Sequence, residues 1–228
     1  MLAYARAEAE AEAKEEEGGA PRDVSVLFAQ GDMSGPHKAP EVASAAPFDV
    51  VACLLGSLSH LSGEEVGSCF AGVQSLLSPA GVFVLELAHP RLLFDGSTVR
   101  AARRSEGGGG WEVPCWDARA PGLRLRVQWG APSDAFDPLT QVLQRTVSVE
   151  VQEVPEELEE RPLAQAGCPG QPRTLRSVVS TRLFTRPELE LLARAAGLRV
   201  VAAHGDLDQA VQASDPQAER LVLVFAHA

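Results

Sequence analysis

The chain has 228 residues, 45% of them hydrophobic, and a formal net charge of -11 from 31 acidic against 20 Lys and Arg residues. That length suffices for one sizeable α/β domain, or one domain carrying an insertion. The acidic balance repels phosphate backbones and argues against nucleic acid as the primary partner; no apolar run approaches the ~20 residues of a membrane span.

Residues Leu2 to about Glu17 read as a helix, because Ala, Glu and Lys are strong helix formers, and Gly18, Gly19 and Pro21 stop it. "VSVLFAQGDM" gives a strand at Val24 to Phe28, followed by Gly31 and Asp32. "SGPHKAPEVASAAP" is loop. Phe48 to Leu55 is a near-continuous apolar run bounded by Pro47 and Gly56, the pattern of a strand buried on both faces of a parallel sheet. A helix then starts at a capping box, Ser62 with Glu65, and repeats Val66, Phe70, Val73 and Leu77 at helical spacing. "GVFVLEL" is a second doubly buried strand. Alternation of this kind predicts a doubly wound parallel sheet.

After Leu87 the texture changes. Two runs, "LRLRVQW" and "TVSVEVQEV", alternate apolar and polar residues like half-exposed antiparallel strands, and "RSVVSTRLF" is a third. All three tryptophans, Trp111, Trp116 and Trp129, lie in this region, which reads as an inserted small antiparallel sheet or lid. The ending is again α/β. "TRPELELLARAAGL" offers Thr185 as N-cap, Glu188 at the capping-box position and Gly197 as stop. "RVVAAHGD" and "RLVLVFAHA" are two closing strands, the last antiparallel.

Ligands of open α/β sheets bind at the C-terminal ends of the strands. That rule selects Gly31, Asp32 and Met33; then Leu54, Leu55, Gly56, Ser57 and His60; then Glu86, His89 and Pro90. "LGSLS" lacks the second glycine of a nucleophile elbow, and Gly107 to Gly110 lacks the flanking strand and helix of a phosphate loop. The four cysteines, Cys53, Cys69, Cys115 and Cys168, show no metal-binding spacing and suit a reducing compartment. The start of the chain has neither a secretory nor an organelle-targeting character, so a soluble, cytoplasmic protein is expected. Plainer roles stand beside these: an Asx turn for Asp32, a helix flank for His60, a loop position for His89.

"FDVVACLLGSLSHL…LLSPAGVFVLEL" resembles the fourth and fifth strand region of class I S-adenosylmethionine-dependent methyltransferases. "VLFAQGDM" is similar to that family's third strand and adenine-contacting Asp, and "FTRPELELLARAAGLRVVAAHGDLD" to its closing helix and sixth strand. The resemblance implies a Rossmann-like α/β core at residues 1–90 and 180–228, with a substrate-covering antiparallel β insertion at 91–179. It implies S-adenosyl-L-methionine as cofactor, held by Asp32, Met33, Leu54, Leu55, Ser57 and His60. It also implies a small-molecule N or O acceptor walled by Trp111, Trp116 and Trp129, with His60 or His89 as candidate general base. "MLAYAR" resembles the start of the helix after the family's second strand. On that reading the first two strands, the Gly-rich loop and the ribose-binding acid are missing, and a truncated chain is expected. A non-catalytic remnant without cofactor binding is the alternative.

Overall fold

The computed structural model describes residues 26–91, 111–113, 123–131, 133–153 and 173–228. The expected helix at 2–17, the Gly107–Gly110 run, Trp116, Cys115 and Cys168 lie outside them.

Strands β1 (Phe48–Cys53), β2 (Leu77–Ala88), β8 (Leu198–His204) and β9 (Arg220–His227) form one sheet in the order β1-β2-β9-β8. β1 and β2 are parallel, while β9 is antiparallel to both neighbours. Thus β1, β2 and β8 share a direction, and Cys53, Ala88 and His204 end on one edge. A short helix α1 (Pro40–Ala45) precedes β1, α2 (Gly63–Leu76) crosses from β1 to β2, and α3 (Arg186–Ala195) leads into β8.

The local signals act as expected. Ser62 Oγ accepts from the Glu65 N–H at 3.4 Å, and Glu65 Oε2 accepts from the Ser62 N–H at 2.7 Å, so two donors of the first turn of α2 are satisfied. Ser62→Ala is expected to lower stability by about 1 kcal/mol in urea denaturation, with Ser62→Asp recovering most of it.

Both α2 and α3 pack on one face of this sheet. Val66, Phe70 and Val73 of α2 and Leu189 and Ala193 of α3 belong to one buried cluster with Phe83, Leu85, Leu223 and Phe225. Three rings form its centre: Phe70 meets Phe83 and Phe225 edge-on at 5.6 and 5.4 Å, and Phe83 stacks on Phe225 at 5.7 Å. Burial in the same core pushes the Cys69 thiol up to about 12.

The opposite face is different from the sequence expectation. Val50 is 60% exposed and Val201 44% exposed there, so β1 is not buried on both faces. The cause is that both described crossover helices lie on the other side. Val26 to Phe28 also form no strand, and Val26 and Leu27 are exposed; no described strand lies beyond β1 to pair with them.

The second sheet is antiparallel throughout. β3 (Trp111–Val113), β4 (Leu123–Trp129), β6 (Val142–Glu153) and β5 (Ala135–Asp137) follow in that order, and β7 (Arg173–Arg182) pairs with β6. All three expected strands form; β3 and β5 are additions. Arg182, at the end of β7, ties this sheet to the first. Its guanidinium pairs with Glu188 in the first turn of α3 and lies 4.9 Å from the Phe184 ring centre. Gly63 leaves room for it: a Cβ there would stand 2.6 Å from Arg182 Nη1.

Candidate functional site

The chain breaks sharply where β1 ends. Leu55 and Gly56 take left-handed conformations, φ 56° and 69°. Glycine accepts that region freely, whereas leucine is strained in it. The Leu54 carbonyl accepts from both the Ser57 hydroxyl (2.7 Å) and the Ser57 N–H (3.2 Å), closing the turn. A 3-10 turn, Ser57–His60, follows and is anchored by the fully buried Leu58. His60 stays exposed at its end. Leu54 and Leu55 are also exposed, 40% and 84%, and a Cβ on Gly56 would meet nothing within 4 Å. The result is an open, partly apolar ledge at the C-terminal edge of the sheet.

Glu86 supports the ledge from β2. It is 3% exposed, its Oε2 accepts from the Leu55 N–H at 3.1 Å, and its Oε1 pairs with the Arg220 guanidinium. Met33 reaches the same end of β1, with the Cys53 thiol 3.8 Å from its sulfur. Asp32 next to it forms an Asx turn, Oδ1 accepting from the Ser34 N–H at 2.8 Å. The bonds to Ser34, then the charge of Lys38, hold its carboxyl below the usual range. At the start of α2 the bonds with Ser62 hold the Glu65 carboxyl below its usual range, with the Asp32 charge a minor opposing influence.

Between this edge and the second sheet lies a cleft of about 490 Å³. Ser59, His60 and Glu65 line one side; Thr140, Ser180 and Arg182 line the other. A second cleft of about 590 Å³ opens along the same edge beside His89, Arg186, His204 and Gln212. His89 itself is spoken for. Its Nδ1 accepts from the Arg91 N–H at 3.1 Å, its Nε2 donates to the Ala213 carbonyl at 2.9 Å, and its backbone N–H donates to Glu219. A ring bonded at both nitrogens pins the 205–219 loop and has no free lone pair for proton abstraction.

The structure therefore brings Met33, Leu54, Leu55, Ser57 and His60 together, with Asp32 beside them. Of the tryptophans, Trp129 is not among the residues lining that cleft. Trp129 carries the Arg145 guanidinium 5.7 Å from its ring centre, Trp111 sits in the edge strand β3 opposite Val127, and Trp116 lies outside the described residues. Sequence reasoning gave no role to Arg182, Thr140 or Ser180, whose position depends on β7 pairing with β6. Glu86 stood at the end of "GVFVLEL", where a charged residue closing a buried run was the available signal.

The fold is that of the class I S-adenosylmethionine-dependent methyltransferases. Among solved structures, it is similar to an S-adenosylmethionine-dependent methyltransferase from Clostridium acetobutylicum ATCC 824, with a TM-score of 0.58 and 14% identity over 97% of this chain and 70% of that one. It is also similar to DesVI of Streptomyces venezuelae, with a TM-score of 0.52 and 19% identity over 87% of this chain and 64% of that one. The sugar N-methyltransferase KedS8 of Streptoalloteichus sp ATCC 53650 gives a TM-score of 0.51 and 15% identity, over 87% and 62%. The chain thus spans between 62% and 70% of the length of these three proteins. No protein-family model and no curated protein matches it. No described helix is long and apolar enough to cross a membrane.

Proposed function

We propose that this chain binds S-adenosylmethionine at the ledge after β1 and transfers its methyl group to a nitrogen or oxygen of a small molecule held in the cleft between the two sheets. The observation that carries the reading is the convergence of Met33, Leu54, Leu55, Ser57 and His60 on one edge of the sheet, where His60 also lines the cleft shared with the second sheet. The residues suit the cofactor's parts. An exposed leucine pair and the thioether of Met33 offer apolar contact to an adenine ring, and Asp32 keeps an exposed carboxylate at the same end. The unfilled space above Gly56 lets a ligand approach the backbone. The similar structures support this: two carry methyltransferase in their names, one of them acting on a sugar nitrogen.

The bound cofactor would supply an electrophilic methyl on a sulfonium. The protein's share is placement and shielding from water. Ser59, Thr140 and Ser180 offer hydroxyls that orient a polar acceptor. His60, free of His89's constraint, stands where it can take the proton an amine or hydroxyl loses.

Titration of S-adenosylhomocysteine into the purified chain tests this. Micromolar binding is expected. A chain folded by circular dichroism that gives no heat at millimolar ligand would overturn the reading in favour of a module without cofactor binding.

A further inference from the structure

We infer that Glu86 is a positioning residue: it fixes the left-handed turn at Leu55 and Gly56 and thereby the ledge on which, resting on the reading above, the cofactor lies. Four observations lead there. Leu55 occupies a backbone conformation that costs a side-chain-bearing residue energy and persists only when its surroundings hold it. Its N–H is held by Glu86 Oε2 at 3.1 Å, a charge-assisted bond from a different strand. Glu86 is itself almost fully buried, on the sheet face away from the aromatic core, where a leucine would pack more cheaply than a carboxylate. And the carboxylate is clamped from its far side. Ala88 of β2 stands opposite Arg220 of β9, so Glu86 is the diagonal neighbour of Arg220, and the two pair.

A buried carboxylate whose one oxygen is fixed by β9 and whose other oxygen holds a strained loop residue acts through that loop. It touches neither the cleft nor the groups that would react. Its geometry sets where Leu54, Leu55 and the following Ser57–His60 turn present themselves. Asp206, with an oxygen 3.8 Å from Arg220 Nε, adds a further tether to the same guanidinium.

The test compares Glu86→Leu and Glu86→Gln in the full chain. The first readout is amide hydrogen exchange without ligand, comparing Leu55 with Phe70 in α2. In Glu86→Leu the Leu55 amide is expected to exchange at least tenfold faster while Phe70 keeps its protection. Glu86→Gln, which still offers an oxygen acceptor, is expected to stay within threefold of the parent. The second readout is S-adenosylhomocysteine affinity, expected to weaken about tenfold in Glu86→Leu and to be largely kept in Glu86→Gln. Unchanged exchange at Leu55 in Glu86→Leu would overturn the inference, and so would an equal loss of protection at Leu55 and Phe70, which would mark a purely structural residue. Should Glu86→Leu fail to fold, Arg220→Met frees the carboxylate while leaving the acceptor in place. Faster Leu55 exchange then supports the inference and unchanged exchange refutes it. If the parent chain itself binds no S-adenosylhomocysteine, the methyltransferase reading fails, and exchange at Leu55 still decides the role of Glu86.

Discussion

Phe225→Ala is expected to lower the unfolding free energy by about 3–5 kcal/mol, a large part of the ~5–15 kcal/mol that holds a typical domain. The ring is fully buried on β9 and forms two of the three aromatic contacts at the centre of the core. Its neighbours cannot close the void. Phe83 is fixed on β2 by backbone pairing directly opposite Phe225, and Phe70 is held on a helix capped at Ser62. The loss therefore includes both the transfer of the ring and the cavity it leaves. Phe225→Leu keeps most of the volume and should cost about 1.5 kcal/mol or less. Urea denaturation followed by far-ultraviolet circular dichroism measures both. A loss below 1 kcal/mol for Phe225→Ala would show that these rings are not the centre of the core.

Gly205→Ala is the second. Gly205 follows β8 and is buried where the 205–219 loop folds back on the sheet. Its N–H donates to the Val211 carbonyl at 2.8 Å, and its own carbonyl accepts from the Arg220 N–H at 3.3 Å. A Cβ there would collide with the Gln212 carbonyl oxygen and stand 2.8 Å from Ala218 Cβ and 3.0 Å from Val211 Cγ1. Backbone and a Cβ cannot rotate aside, so the loop must move. The expected cost is about 1–3 kcal/mol, as for other overpacked sites. The displaced loop should also lose the His89 bond to Ala213. Limited proteolysis within 205–219 should accelerate in Gly205→Ala, and a protease pattern matching the parent would argue that the loop absorbs the methyl group.

The parts of the fold that were legible in the sequence are those written locally. The capping box at Ser62 and Glu65, the spacing of Val66, Phe70 and Val73, and the apolar runs at Phe48 and Val82 each depend on neighbours within one element. The closing pair of strands was legible for the same reason. What escaped was set by distant partners. Periodicity says that Val50 can be buried, and only the placement of α2 and α3 on one face decides that it is not. Half of the candidate site followed from the strand-end rule, which gave Met33, Leu54, Leu55, Ser57 and His60. The other half did not. Arg182 reaches the cleft through the register of β7 on β6, and although the rule also selected Glu86, its pairing with Arg220 across 134 positions of sequence was not written locally. His89 obeyed the rule yet is committed to Ala213, a bond that position in the sequence could not reveal.

The place of β9 has a consequence for how the molecule is made. The sheet runs β1-β2-β9-β8, so a strand synthesised after the other three lies in its interior. Until residues 220–227 leave the ribosome, β2 and β8 have no shared partner, and Phe70 and Phe83 lack the third ring of their cluster. From the emergence of β2 until that of β9 the nascent chain therefore carries an apolar surface that β9 will cover, and contacts of such long sequence separation form slowly. Helper proteins that shield emerging chains would find their target on β2, and release would coincide with the arrival of β9.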